Sequence, residues 1–224
     1  MLLDKGVTMD KLTFRNTYWN YYKQLESDFF SYSPYCEIDE CNDGAFSVRY
    51  LQLYLSICGE IDTICKRFCK LLDDNLKLNR CGINDYISIL NREYPTIAQE
   101  KVELLNYKYD EMQPWQSIKD GEVPSWWTTY NAIKHHRDEI KNGKENYKCA
   151  NQKNVINALC ALYVLIEYWA AKNFAIDKNE TQNSVMILFV SKKLRLIHWN
   201  FYEAFMGKWF NTKRFYEYLE KKVV

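Results

Sequence analysis

Residues 151–174 read NQKNVINALCALYVLIEYWAAKNF. Leu159, Leu162, Tyr163, Ile166 and Trp169 recur at helical spacing and cover more than one face. A helix apolar on several faces belongs inside a bundle rather than on its surface. The uncharged stretch at its centre, 154–166, falls short of the roughly 20 residues that a bilayer crossing takes. The spacing therefore predicts a buried central helix over 152–174, and the rest of the chain is read by what packs on it.

Three further amphipathic segments surround it in sequence. Residues 11–32 place Phe14, Tyr18, Tyr21, Tyr22, Leu25 and Phe29 at helical intervals. Residues 45–73 carry a stripe of Phe46, Tyr50, Leu53, Tyr54, Ile57, Ile61, Ile64, Cys65, Phe68 and Leu72. Residues 126–141 form a third helix, with Ser125 as its cap, Pro124 just outside it, and Asn142 and Gly143 as its stop. A turn at 79–82 precedes a short helix over 83–92 that ends before Pro95. Residues 96–124 mix near-alternating Val, Leu and Tyr with Pro114, Gly121 and Pro124, and are read as an irregular or weakly β insertion. Residues 177–184 read as a polar loop, 185–190 as either a strand or a buried helical turn, and 212–222 as a final helix. The fold class that follows is an all-α helical bundle, expected as a single domain over 1–224.

Composition agrees. Only 7 Gly and 4 Pro punctuate 224 residues, too few for an all-β fold with many tight turns, while 47% hydrophobic residues supply a large core. A net charge of +1 gives no global signature of a polyanion partner. The charge is uneven, however: residues 1–74 carry 8 Lys/Arg against 12 Asp/Glu, and residues 191–224 carry 8 against 3. The start of the chain has no basic stretch followed by a long apolar one, so the expected setting is cytoplasmic, with no membrane partner. Eight Cys without an export signal are expected as reduced thiols, and Cys58, Cys65 and Cys69 fall within an apolar helical stripe as small hydrophobes. No CxxC or HxxxH occurs, the nearest pair outside that stripe, Cys36 and Cys41, has no obvious partners, the isolated His198 adds none, and the sequence implies neither metal nor cofactor.

Chemistry concentrates in residues 124–137, PSWWTTYNAIKHHR. On a helix Trp127, Asn131 and His135 share one face, Lys134 flanks it, and Trp126, Tyr130, Ile133 and Arg137 lie on the adjoining one. An imidazole that titrates near neutral pH, an ammonium and an amide together suit anion binding or acid–base work. The same helix also reads as core, its Trp and Tyr packing and its His held by one hydrogen bond. Accessibility of His135 separates the two.

The pattern WWxxYNxIKHxR, in a helical chain just before a strongly hydrophobic helix, resembles the motif helix of HEPN-like proteins. Their motif is Arg, a polar residue that is often Asn, three further residues, then His. Asn131 and His135 occupy the polar and His positions, Tyr130 stands where the family has Arg, and Lys134 is the nearest substitute cation. The resemblance implies an α-helical bundle that pairs as a homodimer through the motif helix. It also implies metal-independent ribonuclease activity of the kind found in toxin–antitoxin and anti-phage systems, with RNA as substrate and an antitoxin or other protein as partner. In that reading His135, Lys134 and Asn131 are catalytic, and Trp127, Arg137 and Tyr130 bind substrate. The alternatives are a non-catalytic helical module that binds a protein or a nucleotide, and a purely structural dimer.

Overall fold

The computed structural model describes residues 9–141, 143–175 and 189–197. Helix α1 (Lys11–Phe14) opens under Asp10, whose carboxylate accepts from the Thr13 amide at 3.0 Å and the Thr13 hydroxyl at 2.6 Å. A π-helical turn (Arg15–Trp19) carries the chain into α2 (Asn20–Phe30). A π turn holds one residue more than an α turn, and both Tyr18 and Trp19 are buried in it. Tyr21, expected on the apolar stripe, is 41% exposed.

Helix α3 (Val48–Leu72) begins where Ser47 Oγ accepts from the Tyr50 amide at 3.0 Å. It ends where the Lys70 ammonium donates to the carbonyls of Asp74 (2.5 Å) and Leu76 (3.2 Å), satisfying acceptors just past its C-terminus. The expected stripe from Tyr50 to Phe68 is buried. Phe46 is not part of it: the cap comes one residue later, and Phe46 instead makes a backbone bridge to Asn151 and stays 45% exposed. Helix α4 (Ile83–Glu93) starts on Gly82, whose amide donates to the Asp85 carboxylate.

The insertion over 96–124 is irregular, as expected. It holds two 3-10 turns (Pro95–Gln99 and Gln116–Asp120) and strand β1 (Val102–Leu104). Helix α5 (Ser125–His135) follows. It starts one residue early, with Pro124 rather than Ser125 at the cap position, and it stops six residues short of the predicted end. His136 leaves helical geometry at φ −139°, and residues 140–145 fold back as a hairpin of β2 (Ile140–Lys141) and β3 (Lys144–Glu145). Gly143 in its turn has φ +74°, which suits glycine. Asn142 and Gly143 read as a helix stop in the sequence; Gly143 instead lies between the paired strands β2 and β3. A 3-10 turn (Asn146–Cys149) leads into α6 (Gln152–Ala175), and β4 (Leu194–Leu196) pairs antiparallel with β1, Glu103 opposite Arg195. The polar loop at 177–184, most of 185–190, His198 and the helix expected over 212–222 lie outside the described residues.

Helix α6 is the core, as its sequence predicts. Leu159, Leu162, Tyr163, Ile166 and Trp169 are all buried. It is the one described helix long and apolar enough to cross a membrane, and 89% of that window is buried inside the bundle. It starts beside α3, where the Gln152 amide donates to the Ala45 carbonyl at 2.8 Å. Near the far ends of both helices Phe68 stacks on Tyr94, which meets Tyr168 edge-on. The two longest helices therefore run side by side in the same direction. Phe14 and Tyr18 close the opposite flank against Trp169, with ring centroids 4.9 and 4.6 Å away.

Candidate functional site

The first two turns of α5 are anchored from three sides. The Trp126 indole donates to the Pro114 carbonyl at 2.8 Å, and the Trp126 carbonyl accepts from the Tyr54 hydroxyl of α3. Trp115 stands edge-on to Trp126 at 5.2 Å and donates to the Ala161 carbonyl of α6 at 3.0 Å. Trp126, Trp127, Tyr130 and Ile133 are buried. Every indole and phenol here that enters the core takes a polar partner or an aromatic one, as large amphipathic rings require.

The last turn is different. Lys134, His135, His136 and Arg137 are exposed, and Asn131 is partly buried. The helical face shared by Trp127, Asn131 and His135 therefore runs from core to solvent. Trp127, at 5% exposure, and Tyr130, at 6%, lie beneath the surface. Arg137 lies beyond the helix end and shares no helix face with Tyr130; its carbonyl accepts from the Tyr147 amide at 3.1 Å. His135 is exposed in the single chain and is not part of its core.

Tyr130, in the place of the motif arginine, lies under a cation. The Lys134 ammonium lies 5.4 Å from its ring centroid. On α3, Lys66 is held by Asp62 at 2.6 Å, a hydrogen bond that raises its pKa and keeps it charged, and the Tyr130 hydroxyl is among the groups that act on it. Asp62 also accepts from the Tyr86 hydroxyl at 3.2 Å. Lys66 and Asp62 escaped the sequence reading because both fall on a long amphipathic helix, where an i, i+4 pair looks like an ordinary surface pair.

The hairpin extends this surface. The His136 carbonyl accepts from the Asn146 side chain at 2.7 Å, and the Glu139 carbonyl from the Asn146 amide at 2.9 Å. His136 Nδ1 pairs with Glu139 at 2.9 Å, in the open. These bonds tie the end of α5 to Tyr147 and Lys148. Residues 134–149 carry five Lys/Arg against three Asp/Glu. Cations in the last turn of a helix are also favoured by its dipole.

No family model, curated protein or solved structure matches this chain.

The chemistry must then be read from the groups themselves. An exposed imidazole beside an exposed ammonium can bind a phosphodiester and, given a substrate hydroxyl in reach, move a proton. Among the described residues the eight cysteines are free thiols, and Cys58, Cys65 and Cys160 are fully buried, with burial pushing their thiols up. They are inert packing groups rather than nucleophiles.

Proposed function

We propose that this chain is an RNA-binding helical module of HEPN-like kind that engages a phosphodiester backbone with the last turn of α5. The observation that carries the reading is the exposure of Lys134 and His135, consecutive in the last turn of a helix whose large aromatic and apolar groups are buried. Asn131, half-buried one turn earlier, would orient the imidazole in this reading. A cytoplasmic setting and pairing through the α5 surface belong to the same reading.

A second reading, ribonuclease activity, draws on the same pair of groups. His135 would act as general base on a ribose 2′-hydroxyl, and Lys134 would stabilise the charge that develops on phosphorus. Binding stands ahead of cleavage because Tyr130 is buried where the motif has Arg, and its ring already engages Lys134. Incubation of the purified protein and its His135→Ala variant with labelled single-stranded RNA tests both. RNA retained intact by the wild type and released by the variant supports the module. Cleavage by the wild type and none by the variant supports the enzyme. RNA neither bound nor cleaved refutes both. Sedimentation at micromolar concentration tests the homodimer, which a monomer alone would refute.

A further inference from the structure

Most large apolar side chains of the described residues are buried. Of the exposed ones, Tyr35 (90%), Phe46 (45%), Val48 (71%), Ile140 (69%) and Tyr147 (37%) belong to the segments that meet where α3 begins and the hairpin ends. Such a concentration marks an interaction site rather than ordinary surface. The Phe46 ring stands edge-on to Tyr147 at 6.0 Å. Two ammonium groups lie over it, Lys144 at 6.0 Å and Lys148 at 5.9 Å from the centroid. On its other side Phe46 lines a cavity of about 440 Å³ together with Tyr35, Arg49 and Tyr50. Tyr35 and Arg49 are exposed at that cavity, and Tyr50 is buried with its hydroxyl near Cys36.

We infer that Phe46 and Tyr147, with Lys144, Lys148 and Arg49, form a stacking platform for unpaired bases of a single-stranded polynucleotide. Exposed rings flanked by cations are what single-strand binding requires: rings take the base faces, ammonium and guanidinium groups take the phosphates. Each ring of the pair carries a cation, Lys148 also lying 5.7 Å from Tyr147, and that positive charge complements a polyanion. Glu145 is paired with Lys148 at 2.6 Å and Asp43 with Lys153 at 2.8 Å, which leaves Lys144 and Arg49 to meet the phosphates. The main-chain bond from Tyr147 to Arg137 makes the platform continuous with the end of α5. The inference rests on the proposed RNA-binding reading in that one strand would run from the platform to Lys134 and His135. Phe46 was expected in the core, so nothing in the sequence pointed here.

The test is fluorescence anisotropy with 12-mer oligo-U, oligo-dT and a duplex of equal length, on wild type, Phe46→Ala, Lys144→Ala and a Lys134→Ala/His135→Ala double variant. The expected result is preference for single strands, with Phe46→Ala weakening binding by about 10- to 100-fold. Lys144→Ala should lower the slope of log K against log salt by about 0.7. Equal losses for oligo-U and oligo-dT assign the platform to single strands in general, and a loss for oligo-U alone assigns it to RNA. Because Phe46 is half-exposed, an unchanged melting temperature identifies the loss as local. A loss in the double variant with none in Phe46→Ala refutes the platform and leaves the α5 reading standing. The reverse pattern refutes the α5 reading and keeps the platform. Equal binding of duplex, no binding by the wild type, or a change in oligomeric state without a change in affinity would each overturn the platform.

Discussion

Helices α6 and α5 are both rich in apolar and aromatic residues, yet they do opposite work. Helix α6 is buried along nearly its whole length and offers solvent almost nothing. Helix α5 is held in the core by Trp126, Trp127, Tyr130 and Ile133 and then emerges, so that Lys134 and His135 face water. The contrast teaches that a helix can serve as scaffold and as site at once when its axis passes from core to surface. The buried turns fix where the exposed turn points.

Substitution in α6 should break the fold rather than the function. Leu162, fully buried, is expected to cost about 2–5 kcal/mol when changed to Ala, read from the denaturation midpoint. A smaller loss would mean that α6 is less central than its burial says. On α5 the anchoring turn should behave like α6. Trp126→Phe removes the five-membered part of a buried indole and leaves the Pro114 carbonyl without its donor. An expected loss of about 1–3 kcal/mol in the same measurement reports how firmly the site is seated.

A pH series sharpens the comparison between buried and exposed charge. Burial pushes the Glu60 carboxyl of α3 up to about 7, from an ordinary 4.5. The folded state therefore favours the protonated acid. Its contribution to stability is fully present below pH 4.5 and is lost as pH rises through 7. Glu60 is only partly buried, so after screening the loss amounts to about 1–2 kcal/mol, and Glu60→Gln should remove that part of the pH dependence. A Gln variant with the wild-type profile would exonerate this group. The smallest expected change in stability is at the exposed turn: His135→Ala should stay within about 0.5 kcal/mol of wild type while RNA binding falls. A variant that unfolds would make His135 structural and return α5 to the same role as α6.

The bundle was legible because its periods are long and uninterrupted. Residues 152–174 and the stripe from Tyr50 to Phe68 behave as their spacing predicts, and the insertion over 96–124 is irregular as expected. The errors come from short-range signals with two meanings. Asn142 and Gly143 serve a helix stop or a hairpin turn equally well in isolation. Phe46 fits a helical stripe by spacing, but the Ser47 cap excludes it. On α5, spacing placed Trp127, Asn131 and His135 on one face, but it gave no sign that Trp127 is buried while His135 is exposed. Period gives a residue's direction around the axis and says nothing of how deep that part of the axis lies.

The sequence by itself determined that this chain folds as helices around one apolar helix, because burying that much apolar surface at a 3.6-residue period has few other solutions. It also determined which short stretch holds the amide, ammonium and imidazole groups. Only the tertiary structure decided that α5 stops at His135 and that Phe46, Tyr147 and two lysines meet at one end. Those are contacts between residues as much as a hundred positions apart, set by how the helices pack and where the hairpin turns, and no local pattern encodes them.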